Sequence, residues 1–238
     1  MKILGIDTSS QVGTVAIMED DKLIGEYIIN TKKTHSQKLM PMIDEIFKLC
    51  EISIEDIDLI GLCIGPGSFT GLRIGAATAK ALAHVRNISV ATINSLESLA
   101  FNMNFSKGII CPIMDAQRNQ VYTCKYIWEN NTLVSVEDIT VKNIDSLVEE
   151  IKERYEEVVL LGEAVDLYKD KLIDLDNVYI APNSHKISRA SSICELAFEK
   201  YKKGDVKNHY DVVPYYIRKS QAEVQYEERL KRMGENGK

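Results

Sequence analysis

The chain has 238 residues, 45% of them hydrophobic and 27% charged, with a formal net charge of −6. Its length suits one large domain or two small ones sharing a core, and its negative balance excludes a global basic field that could hold nucleic acid by phosphate contacts alone. Five widely spaced cysteines without a Cys-x-x-Cys pair exclude a disulfide framework and fit a cytoplasmic protein; the short N-terminal apolar run, broken by Asp7, excludes a signal peptide, and no stretch reaches the roughly 20 apolar residues of a membrane span.

Residues 2–6 read as a buried strand, followed by a Thr8-Ser9-Ser10-Gln11 turn and strands over 12–18 and 22–29. Short polar turns between them indicate an antiparallel meander. A helix over 35–50 follows, with Leu39, Ile43, Ile46, Phe47 and Cys50 on one face. Pro41 is expected within its first turns, where a missing N–H costs least. Ser53-Ile54-Glu55-Asp56 has the form of a capping box. The apolar run 59–64 reads as a strand covered on both faces. A glycine-rich loop leads from it into a helix over 70–86, then a strand at 89–93 and a helix at 95–102. This alternation indicates parallel crossovers.

The theme recurs more weakly from Gly108. Strands are expected at 109–114, 121–128 and 133–141, with a turn at Asn130-Asn131. A helix at 145–155, a strand at 158–161, helices at 166–172 and 191–202, and a short strand at 179–180 follow. The charged tail, 221–233, reads as a solvated helix or a fraying end. The two halves therefore suggest a duplicated α/β domain, with subdomains at 1–105 and 106–238.

The candidate chemistry begins at Gly65-Pro66-Gly67-Ser68-Phe69-Thr70-Gly71-Leu72-Arg73. A loop between a strand end and a helix N-terminus can cradle an anion, but no Gly-Lys-Ser/Thr closes this one as a P-loop would require. The alternative is a tight turn whose glycines permit close packing. In the helix after it, Gly71, Gly75, Ala79 and Ala83 share one face, with Ala76 beside them. Such a stripe lets another helix approach, either within this chain or in a partner subunit. A partner interface would use Leu39, Met42, Ile46, Leu72, Gly75, Ala76, Ala79 and Ala83.

Asp7, Thr8, Ser9 and Ser68, with Asp115 and Arg118 in the second half, mark two loops where a nucleotide or anion could sit. Ordinary turn and cap roles compete with that reading. Ala116, Gln117 and Arg118 replace the glycines a phosphate loop needs, and Arg118 suits a salt bridge or a partner contact better. The four histidines form no spaced pair of metal ligands, and no Gly-x-Ser-x-Gly elbow is present. Tyr215-Tyr216-Ile217-Arg218 is an aromatic–basic cluster that could stack on a base, or form an edge strand or a docked tail.

Several of these motifs occur together in a known family. Residues 3–9, His35-Ser36-Gln37 with Leu39-Met40-Pro41, and residues 65–75 resemble the TsaB family in order and spacing. Asp115-Ala116-Gln117-Arg118 with Val121-Tyr122, and Pro214-Tyr215-Tyr216-Ile217-Arg218, resemble its later marks. The likeness runs from residue 2 to about 220, and Gln117 departs from an arginine common there. The resemblance implies a duplicated actin/Hsp70/sugar-kinase-like (ASKHA) fold, each subdomain a mixed five-stranded sheet flanked by helices. It implies a non-catalytic dimerisation subunit, with no cofactor, in making N6-threonylcarbamoyladenosine beside the anticodon of tRNAs that read codons starting with A. It implies a TsaD-like catalytic partner, a TsaE-like ATPase, homodimers when alone, tRNA met only through the complex, and a cytoplasmic location. Two other readings stay open: an ATP-dependent kinase or ATPase using Asp7 and Asp115, and a metallopeptidase, which the missing histidine pair opposes.

Overall fold

A computed structural model of the chain describes residues 1–104, 106–218 and 226. Strands β1 (Lys2–Asp7), β2 (Gly13–Glu19) and β3 (Lys22–Ile29) form the expected meander. Helix α1 (His35–Leu49), strand β4 (Leu59–Gly65), helix α2 (Phe69–Arg86) and strand β5 (Ser89–Asn94) follow. β4 lies parallel to β1, and β5 parallel to β4, so the sheet order is β3-β2-β1-β4-β5. Helix α3 (Ser95–Phe101) ends the first half.

The second half repeats the plan. β6 (Ile109–Asp115), β7 (Gln120–Thr123), the hairpin β8 (Tyr126–Glu129) and β9 (Thr132–Ser135), and β10 (Thr140–Asn143) lead to helix α4 (Ile144–Arg154). β11 (Val158–Leu161), the short helices α5 (Ala164–Leu167) and α6 (Lys169–Leu172), β12 (Val178–Ile180) and helix α7 (Ala190–Lys202) complete it. The order β10-β7-β6-β11-β12 reproduces that of the first sheet, with β8 and β9 attached at the side of β6. This is the duplicated actin/Hsp70/sugar-kinase-like architecture expected from the sequence.

Alternation along the strands divides each sheet's residues between two cores. Leu4, Ile6, Ile60 and Leu62 pack with Leu39, Ile43 and Ile46 of α1 and Ala76, Ala79 and Ala83 of α2. Ile3, Leu59, Cys63 and Ile93 point the other way, onto Ile193, Cys194 and Ala197 of α7. The second sheet packs α4 to α6 on one face and Leu96, Leu99 and Ala100 of α3 on the other. The halves thus exchange their last helices: α3 covers the second sheet and α7 the first. Glu26 of β3 fixes the exchange, because its carboxylate accepts from the Ser191 N–H in the first turn of α7 at 2.9 Å and pairs with Arg189 at 2.5 Å.

Three expectations need correction. The strand expected over 121–128 is two, broken at Cys124-Lys125, because Lys125 turns inward to Glu137 and Glu150 at 2.8 Å each. The strand expected over 133–141 breaks where Glu137 makes that contact. The helix expected over 166–172 is interrupted at Tyr168, whose φ of −115° and ψ of 24° are not helical. Pro41 lies within the first two turns of α1, as expected, on its exposed face. The tail expected as a helix over 221–233 falls outside the described residues, apart from Tyr226.

Candidate functional site

The end of β1 and the start of α2 are built into one another. Thr8 Oγ1 donates to the Gly71 carbonyl at 2.8 Å, and the Ser68 N–H donates to the Ser9 carbonyl at 2.7 Å. A Cβ at Gly67 would overlap the Ser9 carbonyl oxygen, and a Cβ at Gly71 the Thr8 carbonyl oxygen. The glycines of this loop therefore serve close backbone approach. From the other side, His35 Nε2 meets the Ser10 carbonyl at 2.7 Å, and the Lys38 ammonium donates to the Gln11 carbonyl at 2.7 Å. The His-Ser-Gln stretch at the head of α1 thus clamps the β1–β2 turn.

Asp7, Thr8 and Ser9 are fully buried. Asp7 Oδ1 accepts from the Ser9 N–H at 2.7 Å, whereas Oδ2 has no hydrogen-bond partner among the described residues. Burial holds the Asp7 carboxyl above the ordinary carboxylate range, against the opposing Ser9 N–H. Of the residues singled out in the two loops, only Ser68, Asp115 and Arg118 face open space. They line a cleft of about 920 Å³ between the halves, with Ser10, Gln11, Tyr122 and Glu163.

The second half supplies the other wall. Asp115 Oδ1 accepts from the Gln117 N–H at 2.8 Å. Gln117, Arg118 and Asn119 then take left-handed φ values of 66°, 56° and 58°, which turn their side chains outward. Arg118 is exposed and makes no ion pair among the described residues, so the salt bridge considered for it is not formed. Glu163 lines the inner wall of the cleft, where partial burial raises its carboxyl to about 7, and the Gln11 N–H reaches it at 3.4 Å. Nothing in the local sequence pattern marks Glu163, because its partial burial depends on the opposite half.

A strap over 209–218 crosses from one half to the other. The Tyr215 N–H donates to the Ile64 carbonyl at 2.8 Å, Tyr216 stacks on Phe69 with ring centroids 4.9 Å apart, and Arg218 donates to the Ala116 carbonyl at 2.7 Å. The aromatic–basic cluster is thus a docked segment of this chain. Among the described residues no group of three His, Cys, Asp or Glu side chains is placed to hold a metal.

The small-residue stripe also resolves. Leu39, Met42, Ile46, Leu72, Ala76, Ala79 and Ala83 are at most 6% exposed, and a Cβ at Gly75 would overlap Thr8 Oγ1. All eight residues expected at a partner interface face this chain's own core. This corrects the expectation. The stripe lets α1 and α2 lie close together over the first sheet, and only the opposite faces of these helices are open to a partner.

The family model of TsaD, tRNA N6-adenosine threonylcarbamoyltransferase, matches residues 22–226. A Bacillus subtilis protein, tRNA threonylcarbamoyladenosine biosynthesis protein TsaB, is 35% identical over 233 residues, which cover 97% of this chain and 100% of that protein. The Escherichia coli protein of the same name is 31% identical over 134 residues, 55% of this chain and 57% of that one. The solved structure of YeaZ from Pseudomonas aeruginosa superposes with a TM-score of 0.76 at 19% identity, covering 91% of this chain and 99% of that one. At that identity it speaks for the fold.

Proposed function

The chain belongs to the TsaB family and takes part in tRNA threonylcarbamoyladenosine biosynthesis, and from that premise we propose that it is a cytoplasmic, non-catalytic scaffold subunit. It binds a TsaD-like catalytic subunit, and with it a TsaE-like ATPase, in the complex that modifies N6 of the adenosine beside the anticodon. It meets tRNA only through that complex and pairs with itself when alone. The observation that carries this reading is the closed first loop: Asp7 is fully buried, and the Gly67–Gly71 loop packs onto the Thr8 and Ser9 backbone just after it, which leaves no room there for a hydrated Mg²⁺. The outer faces of α1 and α2 support it from the other side. Met40, Leu49 and Val85 are 49%, 68% and 61% exposed, and Ala77 and Ala81 lie beside Val85's helix face in the open. Two helices of this length can supply the roughly 800 Å² per partner that a specific interface needs.

The test is to mix the chain with its TsaD-like partner and measure complex mass and tRNA modification. A stable complex whose activity depends on this chain is expected. No complex, or full modification without it, overturns the reading. Titration calorimetry with Mg-ATP on the isolated chain addresses the kinase or ATPase alternative; micromolar binding with turnover would replace the scaffold by an enzyme.

A further inference from the structure

At the far end of β1 from Asp7, a second groove opens with a volume of about 510 Å³, within the range of small-ligand sites. Three parts of the fold meet there. α7 presents Glu195, Phe198, Glu199 and Lys202, which helical spacing puts on one face. The β2–β3 turn supplies Asp20 and Asp21, and the β8–β9 hairpin brings Trp128 against Phe101, with ring centroids 5.4 Å apart. That hairpin is the part of the second sheet with no counterpart in the first.

The groove is therefore floored by aromatic rings and rimmed by acids. Two of the acids are already paired, Asp20 with the N-terminal ammonium at 2.7 Å and Glu199 with Lys202 at 2.5 Å. Asp21 and Glu195 pair with no cation among the described residues. Glu195 stands on the exposed side of α7, where partial desolvation by the groove raises its carboxyl. One edge of the groove shows the matching chemistry from within the chain: the Lys202 ammonium lies 4.7 Å from the Phe198 ring centroid while paired with Glu199. Phe101, Trp128, Glu195 and Asp21 line the same groove, so rings and carboxylates are both available there to a cation from outside the chain.

We propose that this groove binds an alkyl cation, a guanidinium or primary ammonium on an aliphatic stem, with Phe101 and Trp128 against the stem and Glu195 facing the charge. The cation could be borne by a basic side chain of a partner protein or by a free polyamine. Trp128 is the chain's one tryptophan, so its emission reports on the groove directly. The full chain is titrated with a blocked arginine amide, its uncharged citrulline counterpart, and spermidine, each to about 10 mM. A saturable Trp128 response to the arginine amide, about tenfold tighter than to the citrulline amide and lost in Glu195→Gln, supports a protein side chain as the source. A saturable response to spermidine alone, lost in the same variant, supports the polyamine. A thermal melt of Glu195→Gln within a few degrees of the parent shows that it is folded, as a substitution on the solvent side of α7 should be. No saturable response, an equal response to citrulline, or an unchanged response in a folded Glu195→Gln overturns the proposal.

Discussion

The two halves share one strand order but spend it differently. In the first, the strand β4 leads through a glycine loop into the 18-residue helix α2, which presses onto the turn after β1. In the second, β11 leads through Gly162 into two four-residue helices, and the turn after β6 stays open to the cleft. The first half holds an apolar core between its sheet and two long helices. The second half turns Lys125 inward to carboxylates. The same topology thus serves as a block with a closed loop and two long helices on one side, and as a wall with a buried ion network and an open turn on the other.

The largest effect should come from the inner face of α2. Ala79 is fully buried, so Ala79→Arg places an unpaired charge in the first core and should cost more than about 4 kcal/mol in chemical denaturation. Ala81 is exposed on the same helix, and Ala81→Arg should leave stability within about 0.5 kcal/mol while weakening association with the partner or a second copy. If Ala81→Arg assembles normally, the outer faces of α1 and α2 are not the contact.

Next is the ion network of the second half. Lys125 is fully buried and Lys142 reaches Glu150 at 2.6 Å. Burial disfavours the Lys125 ammonium, but the Glu137 and Glu150 carboxylates outweigh it and hold the amine above its ordinary range. Lys125→Ala should therefore cost about 3 kcal/mol, because it leaves both carboxylates short of a partner. Lys125→Met combined with Glu137→Gln and Glu150→Gln should recover most of that loss. A mild cost for Lys125→Ala alone would mean that water reaches the network, and that the halves differ less than their cores suggest.

These contrasts explain what could be read from the sequence. Both sheets, the long helices and the duplication follow from local period, and α2 was placed within a residue. The small stripe on α2 was visible too, but its direction was not. Spacing shows that Gly75 and Ala79 share a face, and only the sheet beneath decides whether that face meets the chain's own strands. Lys125 and Glu163 were missed for a related reason. A buried lysine inside an alternating strand reads as a surface residue until its partners, 12 and 25 positions away, are brought beside it. Of the cleft, Ser68, Asp115 and Arg118 were legible, whereas Gln11 and Glu163 become neighbours only when the halves meet.

Glu163 gives a smaller, pH-dependent effect at that junction. Its carboxyl is raised from 4.5 to about 7 by burial, so the folded state binds a proton that the unfolded chain releases. The sign follows: its burial destabilises the fold fully above pH 7, and this loss is relieved as pH falls from about 7 towards 4.5. Glu163→Gln should remove that part of the pH dependence and stabilise the chain by about 1–3 kcal/mol at pH 8. The difference between parent and variant stability across pH 4.5–8 isolates this group from other buried acids. A flat difference would place Glu163 in water, and with it open the wall between Gln11 and the second half.

The smallest expected change lies in the open turn itself. Gln117, Arg118 and Asn119 hold three successive left-handed conformations, which cost non-glycine residues about 1 kcal/mol or more each, asparagine least. The first half meets its tight approach with glycines; here side chains are kept at the cleft instead. Gln117→Gly should relieve the strain and, after the added freedom of the unfolded glycine, stabilise by at most about 1 kcal/mol. Its Tm should rise by a few degrees, with complex formation unchanged if only the backbone matters at this position. Loss of partner binding in a stabilised Gln117→Gly would instead show that the strain is retained to aim this side of the cleft outward, and would give the second half a share of the interface assigned to the helices of the first.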